Sequence, residues 1–261
     1  DIVVISEMEH HSNIVPWQIL QKEIGFEIRY IPVDENYDLD LNWLNELIKI
    51  EKERIKIVSV VHISNVLGTL NPVKEISRLA HMVGAFVIID GAQSIPHMKV
   101  DVNDINCDAF VFSGHKVYGP TGSGVLYCKE EILKELPPFM GGGEMIMSVS
   151  KDSFELNELP WRFEAGTPDI ESGIVLGKTL EWFANTVNEI GGYEQLISHE
   201  RELMQTLFDE FDGIEWFKAF GKTDAENRYG CLTFNIEGFS FKGCKEKRLE
   251  NKEGDGIVEY I

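Results

Sequence analysis

The sequence predicts an α/β domain with a mainly parallel sheet and flanking helices, followed by part of a smaller α/β unit. Two observations predict the first part and a third the second. Short apolar runs alternate with amphipathic stretches through the first half of the chain, and several runs end on a polar residue suited to a ligand site. From about residue 171 the period becomes helical over long stretches. In order, residues 2–5 (IVVI), 27–31 (EIRYI), 56–61 (KIVSVV), 86–90 (FVIID), 109–112 (AFVF) and 124–128 (GVLYC) read as strands. Residues 13–24, 40–52 and 72–83 read as helices. Asn71 before Pro72 reads as an N-cap with proline at the first helical position, and Gly84 as the stop. Residues 173–190 and 193–211 read as long helices, and 230–236 (GCLTFNI) as a strand of the second unit. Residues 239–261 are charge-rich, and no element is assigned there before "GIVEYI". The predicted division is 1–184 and 185–261.

Of the 261 residues, 43% are hydrophobic and 26% charged, which is ordinary globular composition. The formal net charge of −20 repels phosphate backbones and argues against nucleic acid as a partner. The four cysteines, Cys107, Cys128, Cys231 and Cys244, show no C-x-x-C spacing and read as reduced thiols in a cytoplasmic protein. No stretch approaches ~18 uninterrupted apolar residues, so no membrane span is expected. The chain opens on Asp1 and runs straight into a strand, which reads as a missing N-terminus.

In open parallel sheets ligands sit at the carboxyl ends of strands. Lys116, in "FSGHKVYGP", occupies such a place beside Ser113 and His115. Partial desolvation there lowers a lysine's pKa and makes its amine a carbonyl nucleophile. Ser113 and His115 offer donors to a phosphate. A Schiff-base lysine beside phosphate donors suggests pyridoxal phosphate. That cofactor needs a carboxylate on its ring nitrogen, and Asp90 closes an apolar strand 26 residues earlier. Asp90 reads equally well as the N-cap of a helix beginning at Gly91, with Gln93 either on the phenolic oxygen or completing a capping box. His10 and His11 follow the first strand without a carboxylate or cysteine spaced to complete a metal site; one imidazole suits stacking on an aromatic ring. Asn65 is a further polar group at a strand end, or a turn residue. "GGGEMI" (141–146) reads as a loop, with a lid as its functional alternative. Thr167 reads as a phosphate contact or as the N-cap of a helix at Pro168.

Together "EHHSNIVPW", "HISNVLGTLNP", "VIIDGAQSIPH", "CDAFVFSGHKVYGPTGSGVLY", "GGGEMI" and "WRFEAGTP" resemble the class V aminotransferase superfamily of fold type I pyridoxal phosphate enzymes. The nearest likeness is to the group II, SufS-like cysteine desulfurases, a branch that includes selenocysteine lyases. It covers roughly residues 1–238. The resemblance implies that Lys116 holds pyridoxal 5'-phosphate and later moves protons. It implies that His10 stacks on the ring, Asp90 pairs with the ring nitrogen and Gln93 meets the phenolic oxygen. Ser113 and His115 become phosphate ligands and Asn65 a contact near the ring. Thr167 becomes a contact to the neighbouring subunit's cofactor, so a homodimer is implied. The implied reaction takes sulfur from L-cysteine, or selenium from selenocysteine, through an enzyme thiolate, and serves iron–sulfur cluster assembly. An acidic surface suits a basic sulfur-acceptor protein.

The family's thiol nucleophile follows a G-I-x-V-R strand, and this sequence has none. Cys244 lies in an unrelated Lys-rich segment, and Cys231 reads as a buried strand residue. The substrate-binding arginines and a Gly-Thr-Thr phosphate loop are also missing, so the chain reads as truncated at both ends. Another class V enzyme, such as a selenocysteine lyase or epimerase, and a non-catalytic remnant therefore stay open as alternatives.

Overall fold

The computed structural model describes residues 1–237. Along the chain run β1 (Ile2–Ser6), α1 (Val15–Ile24), β2 (Glu27–Ile31), α2 (Leu41–Glu51), β3 (Ile55–Val61), α3 (Val73–His81), β4 (Phe86–Asp90) and α4 (Val102–Ile105). There follow β5 (Ala109–Ser113), β6 (Gly124–Cys128), α5 (Glu130–Glu135), β7 (Ile146–Val149) and β8 (Phe154–Leu156). Last come α6 (Ile170–Glu189), α7 (Tyr193–Phe211), β9 (Phe217–Phe220) and β10 (Thr233–Ile236).

Six strands form one sheet in the order β2-β1-β3-β4-β5-β6. Every pairing is parallel except β5 with β6, which is antiparallel at the edge. The side-chain period of two explains both faces. On β1, Ile2 and Val4 point into the main core with Leu44 and Ile48 of α2 and Ile76 and Leu79 of α3. Val3 and Ile5 point the other way, onto Ile14 and Trp17. The chain leaves β1 toward β2 through α1, then returns past β1 to β3 through α2. Right-handed crossovers in opposite directions put α1 and α2 on opposite faces. The reversal makes a switch point between β1 and β3, where the loops after the two strands diverge.

Several local expectations change. Asn71 is not the N-cap of α3: Pro72 holds that place, and Asn71 Nδ2 donates to Val61 O at 2.9 Å. The side chain is spent on fastening the loop to the end of β3. No helix follows Asp90. Residues 92–97 form consecutive turns, so the capping box with Gln93 does not exist, although Asp90 Oδ1 accepts from Ala92 N–H at 2.9 Å. Thr167 is not a cap either, because Asp169 caps α6 by accepting from Ser172 N–H at 3.0 Å. Cys231 is half-buried just before β10 rather than within it. The expected 230–236 strand shortens to β10, which pairs antiparallel with the unforeseen β9. The 184/185 division is not among these changes; it lies within α6. Residues 239–261, with Cys244 and "GIVEYI", lie outside the described residues.

The amino edge of the sheet is pinned by a charged cluster. Asp108 meets Lys129 Nζ, His81 Nε2 and Val87 N–H, each at 2.8 Å. Burial pushes its carboxyl up, but those three partners together hold it below the usual range.

Candidate active site at the carboxyl edge of the sheet

Parallel strands end at one edge, so the loops after β1, β3, β4 and β5 converge there. They carry His10, Asn65, Asp90 with Gln93, and Ser113 through Lys116. Lys116 sits in a single 3-10 turn, Gly114–Val117, directly after β5. The turn is anchored by Gly114 N–H to Ser123 O and by Gly119 N–H to Gly114 O, both at 2.8 Å. A Cβ at Gly119 would lie 2.7 Å from Leu176 Cδ1 of α6, so only glycine lets that helix press on the turn. Lys116 is half-buried, as its place predicts; Val117 beside it is fully buried and packs on α6. Ser113 and Gln93 are half-buried and His115 is exposed.

His10 ends the loop after β1 and caps a short 3-10 turn, His11–Asn13. Its Nδ1 accepts from Ser12 N–H at 3.2 Å. Ser12 Oγ also lies 2.8 Å from Nδ1; because a backbone N–H only donates, the pair of contacts favours the neutral ring with its proton on Nε2. Burial lowers the His10 pKa; the Lys116 charge lowers it further, Asp90 opposes this and His11 adds a little. The field of Lys116 and Asp90 thus reaches His10 across three strand ends.

Asp90 is buried, and its backbone carbonyl accepts from His62 N–H at 2.8 Å. Three polar atoms in the segment after β3 are buried without partners: His62 Nδ1, Asn65 Oδ1 and Asn71 Oδ1. Burial alone takes the His62 pKa down to about 4. Such orphaned atoms are uncommon in a folded protein and suit a site that expects a polar ligand. Thr167 stands apart. It is exposed in the loop before α6, and that loop is tied to Gly143 through Gly166 N–H at 2.9 Å.

Two groups went unnoticed in the sequence. His62 has only its place at a strand end to announce it. Glu9 directly precedes His10, yet its burial depends on contacts 52 residues away. Burial raises its pKa to about 7 against the pull of Ser6, Asn13 and Val61 N–H, with Asp90 adding to the rise.

The family profile described as "Aminotransferase class-V" matches residues 1–248. The chain belongs to the class V aminotransferase family. Enzymes of this family depend on pyridoxal 5'-phosphate. The chain is 45% identical over 240 residues to the "Cysteine desulfurase" of Haloferax volcanii, covering 91% of this chain and 54% of that protein. It is 44% identical over 237 residues to the "Probable cysteine desulfurase" of Halalkalibacterium halodurans, covering 91% and 56%. Among solved structures, the Escherichia coli cysteine desulfurase CsdA superposes with a TM-score of 0.84 at 34% identity, covering 94% of this chain and 58% of that one. The apo cysteine desulfurase of Thermococcus onnurineus gives 0.80 at 34% identity, covering 92% and 57%. The fold is therefore that of the class V aminotransferase enzymes, and the chain spans about half the length of the curated relatives it matches.

Proposed function

We propose that the chain is the cofactor-binding part of a cysteine desulfurase, which takes sulfur from L-cysteine, leaves L-alanine and passes a persulfide toward iron–sulfur cluster assembly. One observation carries the reading: the loop after β1, the end of β4 and the turn after β5 bring His10, Asp90 and Lys116 to one edge of the sheet, in a chain 45% identical to a cysteine desulfurase.

The donor set fits pyridoxal phosphate. Lys116 Nζ would hold it, with Ser113 and His115 on its phosphate and Thr167 reaching the phosphate of a neighbouring subunit. His10 would lie on the ring, Asp90 would keep the ring nitrogen protonated, and Gln93 would meet the phenolic oxygen. The orphaned Asn65 Oδ1 would gain a partner near the ring. When bound, the cofactor supplies an electron sink for the substrate's α-carbon. Lys116 Nζ would accept the α-proton, at a site where Asp90 offsets charge.

Cys107, Cys128 and Cys231 are poor choices for the sulfur-accepting thiol. Burial pushes Cys107 up to about 11 and raises the other two, which disfavours the thiolate at each. These raised thiols equally favour a second reading, a chain that keeps the fold without sulfur transfer. The homodimer is supported by a groove of Tyr118, Ile174, Val175 and Trp182 that is open and mostly apolar. A division near residue 184, a cytoplasmic location and a basic sulfur acceptor complete the proposal. No helix among the described residues is long and apolar enough to cross a membrane.

The test is the visible spectrum of the purified chain with pyridoxal phosphate, beside Lys116→Ala. A band that borohydride abolishes and Lys116→Ala lacks supports cofactor holding; alanine release from L-cysteine then separates desulfurase from remnant. A band that persists unchanged in Lys116→Ala refutes the assignment of Lys116.

A further inference from the structure

Three candidates stand outside the residues assigned above. The Asp108 cluster is fully paired and at the wrong edge of the sheet. Arg228 is buried with Nη2 unpartnered, but its Nε and Nη1 are spent on the carbonyls of Cys231 and Lys222. Glu9 is different, because its contacts join three parts of the site's frame.

Glu9 is buried, and its carboxyl accepts three hydrogen bonds from three elements. Ser6 Oγ donates from the end of β1, Asn13 Nδ2 from the 3-10 turn at 2.6 Å, and Val61 N–H from the end of β3 at 3.0 Å. Asn13 is itself held, its Oδ1 accepting from Trp17 Nε1 of α1 at 3.0 Å and Ser59 Oγ of β3 at 2.7 Å. Its backbone N–H donates to His10 O at 2.8 Å. His10 is thus strung between Glu9 before it and Asn13 after it, and Glu9 and Asn13 are bonded to each other. Val61 in turn pairs in register with Asp90. The result is one continuous bonded path from the loop of His10 to the strand of Asp90, crossing the switch point between β1 and β3.

We propose that Glu9 is a positioning residue for the cofactor site, its carboxyl clamping the His10 loop to the ends of β1 and β3 so that His10 is held at the sheet edge that also carries Asp90 and Lys116. This rests on the pyridoxal phosphate reading for its purpose, but not for its geometry. All three partners donate to it, so the ionised carboxylate, above a pH of about 7, accepts from every one, and a glutamine would turn a donor on one of them. The charged groups felt at His10 are Lys116 on the turn after β5, Asp90 on β4 and His11 on its own turn.

The test is NMR titration of the His10 imidazole in the chain without added cofactor, in wild type, Glu9→Ala and Glu9→Gln. His10 is assigned with a His10→Gln variant, and His81 at the opposite edge is the internal reference. A released loop wets the ring, so the His10 midpoint rises by about half a pH unit or more in Glu9→Ala and the preference for the Nε2 tautomer weakens, while His81 is unmoved. Affinity for pyridoxal phosphate, read from its absorption, falls about tenfold. An unchanged His10 midpoint and tautomer in a folded Glu9 variant overturns the proposal. Should both variants fail to fold, Ser6→Ala removes one of the three bonds; a smaller shift of the same sign supports clamping and no shift overturns it. A wild-type chain that binds no cofactor, yet whose His10 shifts in Glu9→Ala, sinks the cofactor reading and leaves the clamp standing.

Discussion

Gly91, directly after Asp90, offers the sharpest test of how the site rests on the core. A Cβ there would lie 1.8 Å from Phe110 Cζ and 2.2 Å from Cε1. Carbon atoms in contact sit at about 3.5 Å or more, so the ring must retreat by about 1.7 Å. Phe110 is only 2% exposed and stands edge-on to His62, with centroids 6.5 Å apart. It has nowhere to swing, so β4 and β5 must part or the ring must leave its rotamer. Overpacking of this kind costs about 1–3 kcal/mol, and the severity of the overlap argues for the upper end. Thermal unfolding followed by circular dichroism should therefore fall by roughly 5–10 °C in Gly91→Ala. Phe110→Leu removes the struck atoms. Alone it is destabilising through lost burial, but in the double variant the two penalties should be far from additive, with a coupling of about 1 kcal/mol or more. Gly91→Ala within about 0.5 kcal/mol of wild type, or additive penalties, would refute the reasoning.

Other predictions follow from polar groups. His62, with its folded pKa near 4 below an ordinary 6.5, is neutral in the native chain and protonated in the unfolded one between those values, so it makes stability rise with pH there. Glu9, raised from 4.5 to about 7, keeps its proton only when folded and makes stability fall as pH rises through the same range. Each is worth on the order of 3 kcal/mol, so denaturant unfolding of wild type should be nearly flat between pH 5 and pH 6.5 (about the shared window), while Glu9→Gln should rise with pH; a flat Glu9→Gln profile contradicts this. Asn65→Ala deletes an atom that has no partner, so stability should change by less than about 0.5 kcal/mol while pyridoxal phosphate affinity drops. A large loss of stability would mean that Asn65 is structural. Asp108→Asn breaks a buried cluster and should cost about 2–4 kcal/mol in denaturant unfolding with cofactor affinity unaltered; a weakened affinity would show that the two edges communicate.

What the sequence disclosed, and what it hid, divides by range of interaction. Strands such as 86–90 and the place of Lys116 are legible because apolar runs and a Gly-Pro-rich stop are local signals. The partner of ambiguous side chains is not local. Asn71 looks like a cap, but Val61 O, ten residues back in sequence, competes for its amide and wins. In sequence Asp90 and Thr167 each read equally as a helix cap, and neither cap forms: turns follow Asp90, and Asp169 caps α6 in place of Thr167. β7, β8 and β9 are three or four residues long with mixed polarity, too short for an alternation to declare itself. Glu9 was invisible because nothing in "EMEHHSN" reveals that Val61 will arrive above it.

The order of strands also has a kinetic side. All four parallel neighbours in the sheet, β1 with β2, β1 with β3, β3 with β4 and β4 with β5, are separated in the chain by crossovers. Loop closure must precede each pairing, so a parallel sheet of this kind is a slow assembly. His10, Asp90 and Lys116 follow or end the first, fourth and fifth strands; β4 pairs directly with β5, but His10 cannot meet the other two until β3 has inserted beside β1. Competence to bind a ligand at this edge would thus be among the last properties acquired during refolding. A rapid-mixing experiment would see the visible signal of bound pyridoxal phosphate lag behind the far-ultraviolet signal of the helices.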